Sequence, residues 1–158
     1  MKLARTIQFD ESDGNVFART AAPGEWAIPG GFEFSNWTEA DLVGKARQAF
    51  ANGWLGLSSF GRSTFVAVSA LETSEYDGLV DTLSDHFVTL YGAPSKAEAE
   101  GAARDELAFM AELVADHAPN TLVTVSRTLT DAGVKEAFRV ITPAEAEIEA
   151  LAVHGTLD

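Results

Sequence analysis

The first residues alternate with a period of two: Leu3, Arg5, Ile7 and Phe9 interleave with Lys2, Ala4, Thr6 and Gln8, which predicts a strand. Asp13-Gly14-Asn15 is a turn signal, and Val16 to Thr20 can return as a second strand. Trp26-Ala27-Ile28 and Phe32-Glu33-Phe34 flank Pro29-Gly30-Gly31. Proline presets φ for the second residue of a type II turn and glycine accepts the positive φ of the third, so a hairpin or tight loop is expected there.

The period then changes. Thr38 can cap a helix whose apolar stripe is Leu42, Ala46, Ala49 and Phe50, with Gly53 as its stop. Two apolar runs, Trp54 to Phe60 and Thr64 to Leu71, surround Gly61-Arg62 and predict a hairpin. Ser74 can cap a helix carrying Tyr76, Leu79, Val80, Leu83, Phe87, Leu90 and Tyr91 at helical spacing, which ends at Gly92-Ala93-Pro94. Ser95 to Glu98 has the form of a capping box, and Ala103, Leu107, Met110, Val114 and His117 make one seam on a second long helix stopped by Pro119. The short connection predicts that these helices pack as an antiparallel pair.

The last hairpin has the clearest pattern. Val123, Val125 and Leu129 share one face, and Val134, Phe138 and Val140 answer them after Asp131-Ala132-Gly133. Setting Thr130 opposite Gly133 places Val125 opposite Phe138 and Arg127 opposite Glu136, whereas a one-residue slip sets Lys135 and Arg139 against the valines. Pro143 suits a first helical position, so Ala144 to Val153 is expected to close the chain as a short helix. Strands arriving in hairpins favour an α+β domain: an antiparallel sheet built from hairpins, with an antiparallel helical pair and short flanking helices packed on it.

Composition narrows the picture further. The 158 residues suit one domain spanning 1–158. The chain has 0 Cys, which excludes disulfides, thiolate metal sites and cysteine nucleophiles. A formal charge of −13 repels phosphate backbones and anionic membrane surfaces, so neither nucleic acid nor membrane is expected as a partner. The amino terminus lacks the uninterrupted apolar core of a secretory signal, and the expected location is the cytoplasm. The acidity is concentrated: residues 72–116 hold 11 acidic and 2 basic side chains.

Candidate chemistry is sparse. Gly56-Leu57-Ser58-Ser59-Phe60-Gly61-Arg62-Ser63 has the glycine spacing of a phosphate-binding loop, with arginine where lysine belongs. That chemistry needs a helix after the loop, and Thr64 to Val68 instead predicts a strand, so a glycine-bearing turn is expected and nucleotide binding is not. His86, His117 and His154 lie in no metal-binding spacing, although Asp81 and Asp85 with one or two histidines could form a two-helix site. No metal, cofactor or catalytic residue is assigned. Asp77, Asp81 and Asp85 form an acidic ridge; such a ridge is ordinarily a solvated face, but its self-repulsion also suits a surface that meets a basic partner. Trp26, Phe32, Phe34 and Trp37 crowd into twelve residues, either as core at one end of the sheet or as the wall of a groove.

The opening residues Met1 to Asp13, with Gly24-Glu25-Trp26-Ala27 and Gly30-Gly31-Phe32-Glu33-Phe34, resemble a small family of uncharacterised proteobacterial proteins, a domain of unknown function. The resemblance runs over most of the chain and implies no activity and no catalytic residues. The expected function is a non-enzymatic interaction or accessory protein that uses its acidic helical pair to hold a protein partner or a second copy of itself. The alternative is a small-molecule binder or enzyme with a pocket between sheet and helices. The residues expected at such a surface are Trp26, Phe32, Trp37, Arg62, Asp77, Asp81, Asp85, His86 and His117.

Overall fold

The computed structural model describes residues 1–8 and 16–142. Its strands are β1 (Lys2–Ile7), β2 (Trp26–Ile28), β3 (Trp54–Gly56), β4 (Arg62–Ser63), β5 (Phe65–Ala70), β6 (Leu122–Thr130) and β7 (Gly133–Ile141). They form one seven-stranded sheet in the order β4-β3-β2-β1-β5-β6-β7, and every neighbouring pair is antiparallel. Three α-helices complete the described chain: α1 (Gly44–Asn52), α2 (Thr73–Tyr91) and α3 (Lys96–Val114). The fold is α+β, as the hairpin pattern predicted.

The helical layer follows from its apolar seams. Val80, Leu83 and Phe87 of α2 and Ala99, Ala103, Leu107, Met110 and Val114 of α3 are buried, and they join Val66, Val68, Val123 and Val125 of the sheet in one core. Ser95 caps α3 by accepting from the Glu98 amide at 3.1 Å. The β6–β7 register is the one the pattern demanded: Thr130 faces Gly133, Val125 faces Phe138 and Arg127 faces Glu136.

Several local expectations give way to tertiary demands. At Pro29-Gly30-Gly31 the tight loop holds and the hairpin does not: Gly30 takes the expected positive φ, 68°, and residues Gly31–Phe34 wind into a 3-10 turn. Thr38 caps only the 3-10 turn Glu39–Asp41; the chain then extends through the β-branched Val43, and α1 starts at Gly44. The cap of α2 is Glu72 rather than Ser74. Val16 to Thr20 forms no strand, and Thr20 alone makes an isolated bridge to Arg62. The run after Gly61 divides, because Phe65 and Val66 are both fully buried on opposite sides of the strand. An interior strand needs partners on both edges, so β5 lies between β1 and β6 while only β4 returns on β3. Phe9, the Asp13-Gly14-Asn15 turn, the Ala144 to Val153 helix and His154 lie outside the described residues.

Leu107 is fully buried in the α3 seam, whereas Leu90 is 52% exposed on α2. Leu107→Ala should lower the unfolding free energy by about 2–5 kcal/mol in urea titrations. Leu90→Ala should stay within about 0.5 kcal/mol of the native chain.

Candidate functional site

Two arginines withdrawn from water organise one end of the sheet. Arg62, on the short strand β4, is 5% exposed, and Arg127, on the inward face of β6, is 4% exposed. A buried guanidinium must find acceptors for its N–H groups. Arg62 donates through Nη1 to the carbonyls of Pro29 and Gly53, both at 3.1 Å, and through Nη2 to Gly30 O at 3.0 Å and Glu33 Oε1 at 2.6 Å. Arg127 donates through Nη1 to Phe50 O at 3.0 Å, Gly53 O at 2.9 Å and Ala49 O at 3.4 Å. Its Nη2 reaches Pro29 O, and its Nε reaches Glu136 Oε2 at 2.7 Å.

Three of the Arg127 acceptors, the carbonyls of Ala49, Phe50 and Gly53, lie at the C-terminal end of α1. The last carbonyls of a helix lack intrahelical donors and lie at the negative end of its dipole, so Arg127 satisfies the end of α1. The Phe34 ring lies under both cations, 4.6 Å from the Arg62 guanidinium and 5.1 Å from that of Arg127. Burial lowers the Arg62 pKa to about 10 against the opposing pull of Glu33, and burial likewise lowers that of Arg127. Glu33 also accepts from the Tyr91 hydroxyl, which ties the 3-10 turn to the end of α2; burial and that bond push the phenol's pKa up. Phe32 packs edge-on against Phe87 and Tyr91 at 5.2 and 5.6 Å.

Above this support lies an open groove of about 470 Å³ between the 3-10 turn, α3 and β7. Its walls include Phe32 and Phe109, and its charged groups are Asp105, Glu106 and Glu136. Among the described residues no basic side chain lines it. Phe109 is 47% exposed. The Glu106 carboxyl is pushed above its usual range, first by burial and then by the negative charges of Glu136 and Asp105. Glu136 serves both sites, since the oxygen it offers Arg127 also approaches the backbone at Gly31, where a Cβ would fall 2.6 Å away.

A second groove, of about 450 Å³, runs beside the C-terminal half of α2 and contains Arg19, Ser59, Phe60, Asp85 and His86. Phe60 sits at φ 56°, an unfavourable conformation for an aromatic residue. Its ring stacks on His86 with centroids 4.1 Å apart, and His86 Nε2 lies 3.1 Å from Leu57 O.

Residues 1–158 match the model of a family described as of unknown function, DUF6505. The chain belongs to that family. No curated protein and no solved structure matches it.

In this DUF6505 chain the residues singled out from sequence are dispersed. Phe32 lines the acidic groove, and Asp85 and His86 line the second one. Arg62 is buried beneath the surface it was expected to rim. Trp26 is 9% exposed under Arg5, whose guanidinium lies 4.1 Å from its ring. Trp37 packs edge-on against Phe34 at 4.8 Å and stacks on Phe50 at 6.4 Å, so both tryptophans pack into the protein. Asp77, Asp81 and Asp85 are exposed, and Lys96 stands 3.9 Å from Asp81 and from Asp85. His117 follows α3, and its carbonyl accepts from Lys2 Nζ at 2.6 Å. Among the described residues no three His, Asp or Glu side chains converge as metal ligands. Sequence reasoning missed Asp105, Glu106, Phe109 and Glu136 as a group, and it missed the burial of Arg127. The signal for Arg127 was its place between Val125 and Leu129 on the apolar face of β6.

The raised Glu106 pKa fixes a sign. The folded state binds this proton more tightly than the unfolded chain, so the contribution is full below the unfolded value of 4.5 and is lost as pH rises through the folded one. Glu106→Gln, which stays neutral, should therefore melt above the native chain at neutral pH. The gap should close as both are acidified towards pH 4.5. Melting curves across that range check both parts.

Proposed function

We propose that this chain is a non-catalytic binding protein that receives a basic segment of a partner protein on its acidic helical layer. The groove between α3 and β7 would seat a lysine or arginine side chain. One observation carries the reading: Asp105, Glu106 and Glu136 share the groove, and of these only Glu136 is paired with a buried cation, Arg127, whose remaining donors face backbone carbonyls. Burial first, and then the charges of Glu136 and Asp105, disfavour the ionised Glu106, and an incoming cation would offset that repulsion. Its aliphatic stem would lie against Phe32 and Phe109, and an aromatic face also attracts the charged head.

The surrounding charge favours the same partner. Residues 72–116 carry 11 acidic and 2 basic side chains. Among the described residues, only Arg5 and Lys96 stand within 4 Å of carboxylates on α2, at 3.8 and 3.9 Å. Such a field speeds encounter with a basic surface and weakens as salt is added. A second copy, also at −13, would meet like charge. No helix of the described residues is long and apolar enough to cross a membrane.

Fluorescence anisotropy with short synthetic peptides tests the reading. A lysine- and arginine-rich peptide should bind at low salt and weaken as ionic strength rises above about 0.1 M, where the screening length falls to about 10 Å. Glu106→Gln combined with Asp105→Asn should weaken binding by about tenfold or more, equivalent to about 1.4 kcal/mol. Asp77→Asn should change it little. Equal binding of acidic and basic peptides, or no response to the groove substitutions, would contradict the reading.

A further inference from the structure

The loop with the spacing of a phosphate-binding motif does hold an anion, but that anion belongs to the chain itself. Glu25 is buried, at 9% exposure, with its carboxylate enclosed by the segment Gly56 to Ser63. The amides of Ser58 and Ser59 donate to Oε1 at 3.0 and 2.8 Å. The Ser59 hydroxyl and the Ala22 amide donate to Oε2 at 2.7 and 2.6 Å. Three backbone N–H groups and one hydroxyl thus converge on one carboxylate. Among the described residues no basic side chain lies within ion-pair distance of it. Converging amides of this kind form an anion-binding concavity, and bonds to a charged acceptor are about twice as strong as neutral ones.

The glycines of the motif serve this enclosure. A Cβ on Gly56 would fall 2.7 Å from Glu25 Oε1, and one on Gly61 would fall 2.5 Å from the backbone at Thr20 and Ala21. The Gly61 amide in turn donates to the Ser59 hydroxyl at 2.9 Å, which turns that hydroxyl's proton towards Glu25. The same loop carries Phe60, whose positive φ sets its ring on His86. The carboxylate therefore stands where a bound ligand stands in other anion-binding loops, and the wall of the second groove rests on it.

We infer that Gly56 to Ser63 is a carboxylate-binding site preloaded with Glu25, and that it takes a free small carboxylate when that side chain is cut back. Glu25→Ala removes Cγ, Cδ and both oxygens, and acetate supplies the same two carbons and two oxygens.

The test compares melting of the full chain in sodium acetate and in sodium chloride at equal ionic strength and neutral pH. Glu25→Ala should melt several degrees below the native chain in chloride. Acetate should raise that temperature saturably, and it should leave the native chain unmoved. Glu25→Gln keeps the slot filled and should show no acetate response. Identical melting of Glu25→Ala in the two salts, or the same acetate shift in all three proteins, overturns the inference. If Glu25→Ala does not fold in chloride, recovery of soluble protein on refolding in acetate supports it, and failure in both salts overturns it.

Discussion

A guanidinium taken out of water has to be met by oxygen on every side its donors face, and in this protein two of them share two carbonyl oxygens. Arg62 and Arg127 come from β4 and β6, which have four strands between them in the sheet order, yet both donate to Pro29 O and Gly53 O. Four pieces of backbone are thereby held at one point: the end of β2, the 3-10 turn after it, the end of α1 and the start of β3. The like charges of the two arginines oppose this arrangement, and Glu33, Glu136 and the Phe34 ring offset the repulsion. Such a cluster is weak evidence for net stability against an apolar alternative. Removing one member, however, leaves buried charge or buried carbonyls without partners, and that typically costs about 3–5 kcal/mol.

This arrangement also shapes the surface. The chain has only 11 basic side chains against 24 acidic ones, and two of those bases are consumed inside. The groove next to them is left with three carboxylates and aromatic walls. Glu136 links the two regions, because it pairs with Arg127 on one side and lines the groove on the other. The internal carboxylate of Glu25 plays a comparable part at the opposite charge: there backbone amides, rather than carbonyls, surround a buried ion.

How much of this could be read from sequence depended on whether a partner was a side chain or a peptide group. The β6–β7 register was legible because alternation, a glycine turn and the Arg127–Glu136 pair all agree on it. The α3 seam was legible because its apolar steps match one helical face. The arginine cluster was not legible, because its acceptors are carbonyls at residues 29, 30, 49, 50 and 53, and a carbonyl has no letter in the sequence. For the same reason the glycine-rich loop read as a plain turn despite its phosphate-loop spacing, because the amides that hold Glu25 have no letter either. The aromatic stretch left core and groove open in the sequence, and in the structure Trp26, Phe34 and Trp37 are packing residues while Phe32 reaches the acidic groove.

Hydrogen exchange on the native chain and on Arg127→Met addresses the shared-acceptor cluster most directly. The substitution keeps an unbranched apolar stem and deletes the donors. Amides of Gly31 to Phe34 and of α1 should lose protection together, while the buried seams of α2 and α3 keep theirs. Unchanged protection around residues 31–52, or a uniform loss across all elements, would show that the arginines do not hold that end of the sheet in place.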